Sequence, residues 1–401
     1  MAQRPRSARA RLLVLGAGPG QLGLLEAARA RADLHVVAAD RDATAVGFAL
    51  ADERAIVSTE DEHAVEQLAR ALRVDGIVSP GADWPVRVAA RAAERLGLPH
   101  PIDSRTAVLA TSKLHQRERF RDAGVPHAAA LDPAGRPVVP CVVKAPDRQG
   151  QRGLTLVRDE AGLVAALAEA RAESRSGAVL VEELVDGPEI TVNGAWSDVG
   201  AFRGLAVTDR VTAEPPAFGV ALAHVWPSAA AGDGVLEIAE QACRALGLVA
   251  GPVYVQLRIG ADGPQVMEVA ARLGGGHDAE LVRAVTGVDL NAVAIAAALG
   301  EPCDPLLDAP DASPAGAGCI RFLVAPPGRL LAVEGVEEAE RGDGVGWVRV
   351  YREPGWTFGP LRRGADRAGA ILATGADWAE AVEKADRAAD TVRFRVDAPT
   401  A

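Results

Sequence analysis

Short apolar runs alternate with amphipathic segments over the first hundred residues. Four runs have the length of strands: "RLLVLGA", "LHVVAAD", "RAIVS" and "DGIVSP". The segments "QLGLLEAARAR", "DEHAVEQLARALR" and "WPVRVAARAAERLG" place apolar residues at helical spacing. Strands that alternate with helices predict a parallel, doubly wound sheet. The prolines of "GLPHPID" end this pattern near residue 102.

The pattern of predicted helices and strands changes near residue 103. Two helices are predicted in "SRTAVLATSKLHQRERFRDAGVP", which ends at Gly124 and Pro126. The segments "PCVVKAP", "GLTLVRD", "AVLVEELV" and "EITVNGAW" are typical of strands, and "EAGLVAALAEARAES" is typical of a helix between the second and the third. We expect these five segments to form one small α+β unit.

The remaining chain predicts a helix, a hairpin and a β-rich end. "DGVLEIAEQACRALGL" has apolar residues at helical spacing, and "GPVYVQLRIGADGPQVMEVAARLGGG" predicts a hairpin that turns at residues 261–263. After the proline-rich residues 301–316, a β-rich part ends in the helical segment "ATGADWAEAVEKADRAADTV". The fold class is therefore α/β at the start and α+β afterwards.

The composition of the 401-residue chain narrows the functional classes. Hydrophobic residues make up 49% of it, which is enough for large cores. The net charge of −11, with no long basic run, argues against a nucleic-acid partner. The apolar part of the N-terminal segment is too short for a signal peptide, and no run approaches the roughly 18 apolar residues of a membrane helix. We therefore expect a cytoplasmic protein without a membrane partner.

Four cysteines are present: Cys141, Cys243, Cys303 and Cys319. They form no C-x-x-C pair and do not cluster with histidines, which argues against a zinc site. We expect buried, reduced thiols in a chain of this size.

The first predicted strand runs into the glycine-rich turn "GAGPGQLG". Gly18, Gly20 and Gly23 satisfy G-x-G-x-x-G, and Asp40 closes the next strand, where an acid that binds ribose would lie. Taken alone, this pattern favours a dehydrogenase that binds a dinucleotide.

Two lysines lie in segments that suit the binding of a triphosphate. Lys113 lies in the helical segment "SKLHQ", and Lys144 lies in the apolar strand "CVVKAP". ATP carries about four negative charges, so cations must offset them before another anion can approach. A lysine in an apolar strand loses its water unless an anion meets it. Its alternative is to extend its ammonium group to the surface.

The loop "DRQGQRG", residues 147–153, follows that strand. Gly150 and Gly153 leave room for backbone N–H groups to wrap phosphate oxygens, and Arg148 and Arg152 add positive charge. An ordinary turn between strands is the alternative interpretation.

The segment "VEELVDGPEI" places acids on both sides of a turn. Glu182 and Glu183 end one strand, Val185 follows, and Glu189 opens the next strand. A strand edge offers backbone groups to adenine, and a carboxylate suits ribose hydroxyls. A solvated acidic turn is the alternative.

The predicted hairpin carries residues that suit a metal ion. Gln256 and Glu268 lie on its two strands, where they can face each other across the ladder. Paired oxygen ligands on rigid strands suit Mg²⁺ that bridges phosphates. Arg272 and glycines 274–276 follow, which places a fixed cation and backbone N–H groups beside the metal.

Together and in this order, these features resemble the ATP-grasp superfamily. "VLVEELVDGPEITV" is similar to the hinge segment of D-alanine–D-alanine ligase and its relatives, and "QVMEVAARLGGG" is similar to the metal-binding pattern E-x-N-x-R-x-G-G. "SKLHQRERFRDAGVP" and "PCVVKAP" resemble the two nucleotide-binding lysine segments. The C-terminal "GADWAEAVEKA" resembles carbamoyl-phosphate-synthetase-like and L-amino-acid-ligase-like enzymes. The resemblance covers most of the chain.

The resemblance implies a fold and an activity. Residues 1–102 would form a Rossmann-like domain that holds no NAD, 103–305 the ATP-grasp domain with a lid at about 127–186, and 306–401 a small C-terminal α+β domain. The implied activity is that of a carboxylate–amine ligase, in which an acyl phosphate forms from ATP and an amine displaces its phosphate. ATP and Mg²⁺, with Mn²⁺ as the alternative metal, are the implied cofactors. Small carboxylates and amines are the implied substrates, and we expect a homodimer.

The resemblance also implies roles for individual residues. Lys113 and Lys144 would bind the α- and β-phosphates, together with the loop residues Gly150, Arg152 and Gly153. Glu182 and the backbone of Glu183 and Val185 would hold adenine, and Glu189 would hold the ribose. Gln256 and Glu268 would bind the metal, and Arg272, with Lys144, would be catalytic. The chain departs from the family pattern twice, since Gln256 stands where an acid is common and Ala270 where asparagine is usual. The second departure removes one oxygen ligand of the second metal ion.

Contacts with substrate are assigned from position in the sequence. Glu214, in a segment expected to border the pocket, is a candidate partner for an ammonium group, and Asp83 follows an N-terminal strand. Gly275, Gly276 and His277 end the metal-binding motif. For His277, a surface location at a helix start is an equal alternative.

Three classes of function stay open at this point. An amide-forming ligase is favoured. An ATP-grasp enzyme that phosphorylates its substrate or uses bicarbonate is the second class, although no biotin-carrier sequence M-K-M occurs in the chain. A non-catalytic nucleotide-binding module is the third class, and only Ala270 supports it. No G-x-S-x-G or Cys–His arrangement indicates a covalent nucleophile.

Overall fold

The structure, a computed structural model, describes residues 9–133, 138–308 and 314–397. Its first sheet has four parallel strands: β1 (Ala10–Leu15), β2 (Leu34–Asp40), β3 (Glu53–Ile56) and β4 (Gly76–Val78). Their order in the sheet is β3–β2–β1–β4. The helices that alternate with them are α1 (Leu22–Ala30), α2 (Glu62–Leu72) and α3 (Asp83–Leu96). The parallel α/β sheet predicted for this part of the chain is confirmed.

An antiparallel sheet of four short strands follows, with three more helices. The helices are α4 (Ser104–Ala110), α5 (Lys113–Ala123) and α6 (Glu160–Glu173). The strands are β5 (Ala130–Leu131), β6 (Cys141–Lys144), β7 (Leu154–Val157) and β8 (Leu180–Glu183), in the order β5–β8–β6–β7. α6 covers one face of this sheet through a core that includes Val143, Val157 and Ala170.

The next segments build most of the central sheet. The strands are β9 (Glu189–Trp196), β10 (Phe202–Thr212), β11 (Ala221–Trp226), β12 (Pro252–Gly260) and β13 (Gly263–Ala270). The helices are α7 (Val235–Ala245), α8 (Asp278–Thr286), α9 (Leu290–Leu299) and α10 (Asp304–Asp308). The prediction that "EITVNGAW" belongs to the small α+β unit is wrong, because β9 pairs with β10 and β12. Every residue of β9 is buried, which suits a strand inside a large sheet.

The C-terminal part extends this sheet and adds another. Its strands are β14 (Ala317–Leu323), β15 (Gly328–Glu334), β16 (Val345–Val350), β17 (Thr357–Phe358), β18 (Gly369–Gly375) and β19 (Arg393–Asp397). The helices are α11 (Val336–Glu340) and α12 (Trp378–Thr391). The central sheet has eight strands in the order β13–β12–β9–β10–β11–β14–β18–β16, and β17–β15–β19 form the third antiparallel sheet. One continuous sheet therefore joins the segments on both sides of residue 305.

A shared core connects the first sheet to the helices that follow the hairpin. It contains Leu12 and Val36 from the parallel strands and Val293 and Ile295 from α9. Among the described residues, no single helix is long and apolar enough to cross a membrane. α8 and α9 reach that length and composition only as a pair bent by 114°. Both are helices of the protein core, since most of their residues are buried.

Candidate active site

Two adjoining cavities lie where the antiparallel four-stranded sheet, β5–β8–β6–β7, approaches the central sheet. The first has an apolar part formed by Val142, Ala145, Leu154, Phe218 and Met267. It is also lined by most of the residues predicted to bind nucleotide and metal, namely Lys113, Lys144, Gly150, Arg152, Glu182, Glu183, Val185, Glu189, Gln256 and Glu268. Gly153 does not line it, because this glycine packs closely against Ala145 and α6. We call it the nucleotide cavity.

Lys113 connects the loop of residues 147–153 to the β12–β13 hairpin. Ser112 caps α5, so Lys113 occupies the first turn of the helix with its side chain directed at the cavity wall. Its Nζ donates to Glu268 Oε1 at 2.8 Å and to the Arg148 carbonyl at 3.0 Å. Burial raises the pKa of Glu268, but Lys113 and Arg272 outweigh this effect and hold that pKa below its ordinary value. The Glu268 carboxylate is therefore charged and available to a cation.

Lys144 ends β6 inside a buried ionic cluster. Its Nζ pairs with Glu182, and Arg117 binds the same carboxylate from α5. Burial lowers the pKa of Lys144. Burial also raises the pKa of Glu182, but the two cations outweigh it and set that pKa at about 2. The Glu182 side chain was predicted to hold adenine. Instead, its carboxylate binds Arg117 and Lys144 and thereby holds Lys144 in position.

Backbone groups beside Glu182 offer a more direct contact for adenine. The Glu183 N–H donates to the Ala129 carbonyl at 3.0 Å, and the Val185 carbonyl accepts from Arg258 at 3.2 Å. The Val185 N–H has no protein acceptor in the described part of the chain. This donor next to apolar side chains suits one edge of a purine.

Glu189 is buried at the start of β9 and has three donors around it. Arg210, Gln256 and Arg258 bind its carboxylate, the last at 3.2 Å. A ribose hydroxyl that bound Glu189 would share this carboxylate with them, which its several lone pairs permit.

The hairpin places Gln256 directly opposite Glu268. The two residues are register partners in the β12–β13 ladder, as the sequence pattern predicted. Because Gln256 Nε2 donates to Glu189, its Oε1 is left to coordinate a metal ion. The described residues contain no group of three or more His, Cys, Asp or Glu side chains that could hold a metal ion. Gln256 and Glu268 therefore offer two oxygen ligands, and the buried Ala270 offers none.

The second cavity adjoins the first across the hairpin. Gln149, Gly150, Gln151, Gln256 and Glu268 line both cavities. Arg272 lines only the second, where its Nε binds Asp83 Oδ1 at 2.6 Å and its Nη1 binds the Leu273 carbonyl at 2.8 Å. These contacts hold the positively charged guanidinium of Arg272 beside the candidate metal ligands Gln256 and Glu268. We call this second space the substrate cavity.

The glycine-rich first turn also borders the substrate cavity. Pro19 and Gly20 line it, and a Cβ at Gly20 would lie 3.7 Å from the Gly275 carbonyl. A Cβ at Gly23 would lie 2.4 Å from Glu280 Oε1, so a larger residue here would force the Glu280 side chain of α8 to move. The Asp40 carboxylate accepts the Ala17 N–H at 2.9 Å and thereby stabilises the turn itself. The first turn thus borders the substrate cavity, and the acid predicted to bind ribose, Asp40, is engaged by the backbone of the turn itself.

The residues predicted to contact substrate separate into two groups. Gly275 and Gly276 line the substrate cavity, whereas Asp83 reaches it only through Arg272. The structure does not bring Glu214 there, because the exposed turn between β10 and β11 carries it to a neighbouring cavity. His277 is only 3% exposed and binds Tyr351 Oη at 2.5 Å, so the surface alternative for it is wrong.

Several polar residues of the substrate cavity were missed by the sequence analysis. They are Arg210, His224, Tyr254, Tyr351, Arg352 and Arg367. His224 Nδ1 pairs with Asp278 Oδ1 at 2.8 Å, and the Gly276 N–H donates to the other carboxylate oxygen at 3.0 Å. None of these residues belongs to a local motif, and they come from β10, β11, β12 and the segments next to β16 and β18, so only the order of strands in the central sheet brings them together.

The fold and this site define an enzyme of the ATP-grasp class. The ATP-grasp domain family matches residues 138–280, and the L-amino acid ligase C-terminal domain 2 family matches residues 321–397. A formate-dependent phosphoribosylglycinamide formyltransferase from Burkholderia vietnamiensis is 31% identical, over 96% of this chain and 95% of that protein. Carnosine synthase 1 from Gallus gallus is 30% identical over 80% of this chain and 38% of its own length.

Solved structures share the same fold. An L-amino acid ligase from Bacillus licheniformis aligns with a TM-score of 0.81 at 19% identity, over 98% of this chain and 100% of that one. A phosphoribosylglycinamide synthetase from Anaerococcus prevotii aligns with a TM-score of 0.78 at 20% identity, over 97% and 100%. The chain belongs to the ATP-grasp superfamily, within its carboxylate–amine ligases, and is an ADP-forming enzyme that makes C–N bonds.

Proposed function

We propose that this protein joins a carboxylate to an amine as a dipeptide-like amide through an acyl phosphate, with release of ADP and phosphate. The observation that carries the proposal is the position of Gln256 and Glu268 on the wall that both cavities share. Phosphate groups bound on one side would there meet a substrate carboxylate on the other. The match to an L-amino acid ligase domain supports the amide product.

The residues present fit ATP and Mg²⁺. Enzymes of this family generally use both, and an apolar cleft, the Val185 N–H and two lysines suit the nucleotide. Gly150 has a left-handed backbone with open space around it, so its loop can approach phosphate closely. We propose Gln256 and Glu268 as the metal ligands. When bound, the metal ion offsets phosphate charge and orients the transferred group.

The chain's own residues would supply positioning and charge. Lys113 and Lys144 offset the charge of the phosphates, and the loop 147–153 excludes water that would hydrolyse an acyl phosphate. Arg272, held by Asp83, stabilises the oxyanions of the acyl phosphate and the tetrahedral intermediate. His224, oriented by Asp278, lies on the cavity wall where it can take the proton that the attacking amine loses.

A phosphate-release assay tests this function. Purified protein would be incubated with ATP and Mg²⁺ and with pairs of amino acids, and products would be identified by mass spectrometry. We expect phosphate release only when both a carboxylate and an amine are present. The 31% identical relative is formate-dependent, so formate and bicarbonate would be tested as carboxylates beside amino acids. Release with bicarbonate alone would favour the second class of function over the first.

We also propose that the chain divides near residues 102 and 305 and that it forms a homodimer. The parallel sheet ends at Val78, and α3 follows it, before the first of these positions. The second lies within the short helix α10, which follows α9, although the central sheet continues beyond it.

Hydrogen exchange in residues 147–153 should slow when a non-hydrolysable ATP analogue and Mg²⁺ bind. Gly150, Gln151 and Gly153 have left-handed backbones, so the loop makes few regular backbone hydrogen bonds of its own. Several polar contacts hold it, such as the Ser174 hydroxyl that donates to Asp147 Oδ1 at 3.0 Å and Lys113 Nζ, which donates to the Arg148 carbonyl at 3.0 Å. Exchange monitored by mass spectrometry would show the protection. Equal exchange with and without nucleotide would contradict the proposed lid.

Ala270→Asn should lower the Mg²⁺ concentration that gives half-maximal rate. Ala270 follows Glu268 by two residues on β13 and has no side-chain oxygen, so water must complete the metal shell. Mg²⁺ keeps its waters readily, and the native enzyme should therefore be active with a loosely held ion. A titration of Mg²⁺ at fixed ATP in both proteins measures the effect. An unchanged or raised midpoint in an active variant would show that this position contributes no ligand.

A further inference from the structure

Alternate residues of β12 line the two cavities in a fixed order. Arg258 lines the nucleotide cavity but not the substrate cavity, Gln256 lines both, and Tyr254 lines only the substrate cavity. The residues between them, Val255 and Leu257, are fully buried in the core behind the strand. Residues two apart on a strand share a face and lie about 7 Å apart. Tyr254 therefore lies one step beyond the candidate metal ligand, on the substrate side.

The Tyr254 hydroxyl forms no hydrogen bond with any residue that the structure describes. Tyr254 is only 8% exposed, but its oxygen is not fully enclosed by protein and borders the open space of the cavity. The other tyrosine of the chain differs in this respect, since the Tyr351 hydroxyl is bound to His277 at 2.5 Å. A polar group that loses water without gaining a partner costs free energy, so we expect a ligand in the cavity to supply the partner of Tyr254.

The surroundings of Tyr254 keep its proton in place. Burial raises the pKa of Tyr254, and the positive charges of Arg210 and Arg272 offset this effect only in part. The phenol is therefore neutral at physiological pH and can donate a hydrogen bond. Its register partner across the ladder is Ala270, whose methyl group has no polar atom. At this level of the hairpin, Tyr254 is thus the residue whose side chain can donate to a substrate.

We propose that the Tyr254 hydroxyl donates a hydrogen bond to the substrate carboxylate that is activated, at the oxygen that remains the carbonyl oxygen of the acyl phosphate. This inference rests on the proposed function, because it places that carboxylate between the Gln256–Glu268 pair and Arg272. Negative charge develops on this oxygen when the amine attacks. A neutral donor held in a dry site stabilises such charge more in the transition state than in the ground state. Tyr254 would then be a catalytic residue beside Arg272.

Carbon-13 NMR tests this contact without turnover. The chain has two tyrosines, so protein labelled at the tyrosine ζ-carbon gives two resonances, and Tyr254→Phe identifies the resonance of Tyr254. The nucleotide cavity would be saturated with a non-hydrolysable ATP analogue and Mg²⁺, and acetate and L-alanine would be titrated. We expect at least one of them to produce a saturable shift of the Tyr254 resonance, and chloride at equal ionic strength to produce none.

The resonance of Tyr351 is the internal control in this titration. Its hydroxyl is already bound to His277, so it should shift less than that of Tyr254. A Tyr254 resonance that stays unchanged with both acetate and L-alanine would overturn the proposal.

Tyr254→Phe tests the same contact in turnover. The substitution removes one oxygen that has no protein partner, so the variant should unfold within a few degrees of the wild type. With a substrate pair found in the phosphate-release assay, we expect kcat/KM for the carboxylate to fall at least tenfold. The KM for ATP should change less than twofold, because Tyr254 lies outside the nucleotide cavity.

Thr286→Val is the matched control for the loss of a hydroxyl. The Thr286 hydroxyl donates to the Val282 carbonyl at 2.7 Å on α8, outside both cavities, so this variant should keep the wild-type kcat/KM. Equal kcat/KM for Tyr254→Phe and Thr286→Val would overturn the proposal. A rise in the KM for ATP as large as the fall in kcat/KM would also overturn it, because Tyr254 would then act on the nucleotide. No phosphate release by wild-type protein with any pair would contradict the proposed function alone, and the NMR titration would still decide the role of Tyr254.

Discussion

Glu268→Gln should lower the rate of ADP formation by about 1000-fold or more. Glu268 is the charged member of the two-ligand set on the hairpin, and Gln256 cannot replace that charge. A loss of this size corresponds to about 4 kcal/mol of transition-state stabilisation, which is in the range that a catalytic metal supplies. A coupled assay for ADP, run with saturating ATP and Mg²⁺, measures it.

The matched control for this substitution is Glu183→Gln, on the neighbouring strand β8. Glu183 also lines the nucleotide cavity, but its carboxylate accepts the Ala129 N–H at 2.9 Å. We expect it to keep most of the activity, and we expect both variants to unfold within a few degrees of the wild type. The amide of Glu268→Gln can still accept from Lys113, so the fold should persist. Near-normal turnover by Glu268→Gln would remove Glu268 from the site.

Hydrophobic periodicity predicted the local elements because each of them buries a face that its own sequence encodes. β2, for example, coincides with "LHVVAAD", and α12 lies within the predicted C-terminal helix. Periodicity does not encode which sheet a strand joins. β9 was therefore placed in the small unit, although it pairs with β10 and β12 in the central sheet. That pairing joins residues as far apart as Glu189 and Arg258, and no short motif specifies it.

The residues of the candidate site also fall into two groups, those that a local pattern could bring together and those that only the tertiary fold brings together. Gln256 and Glu268 could be brought together from the sequence because they lie on the two strands of one hairpin with a short turn. An irregularity in the ladder between Gln256 and Leu257 shifts the register and makes the two residues direct partners, and this shift has no signal in the sequence. Arg352, Arg367 and His224 come from segments that meet only through the central sheet, and each looks like an ordinary polar residue in its own segment. Their place at the substrate cavity could not be predicted for that reason.

Proximity along the chain also led to a wrong prediction for the location of one acidic residue. Glu214 lies near other residues of the cavities in the chain, but the turn that follows β10 directs it to a different cavity. For Glu182 the location at the cavity was predicted correctly, but the cations that bind its carboxylate were not predicted. Arg117, 65 residues earlier on α5, binds its carboxylate, and no local pattern links the two.

Lys144→Ala should lower the rate of ADP formation by about 100- to 1000-fold while the protein stays folded. The Lys144 ammonium is directed at the nucleotide cavity and is partly dehydrated, so it can stabilise phosphate charge without first losing water. Its removal forfeits that stabilisation, whereas Glu182 keeps its bond to Arg117. Lys144→Met keeps most of the side-chain volume and should lose as much activity, which separates the effect of charge from that of packing.

Acid unfolding provides a second readout of the same substitution. The folded-state pKa of Glu182 is about 2, because Arg117 and Lys144 together outweigh the effect of burial. A carboxyl with a lowered pKa contributes stability above its unfolded pKa, near 4.5, and that contribution is lost as the pH falls towards 2. Without Lys144 the folded-state pKa rises, so the pH midpoint of acid unfolding, followed by circular dichroism, should move upward in Lys144→Ala and Lys144→Met. A control at the exposed ion pair, Arg341→Ala, should leave the midpoint unchanged. Normal ADP formation by either Lys144 variant would show that the nucleotide does not depend on this lysine, whatever the midpoint does.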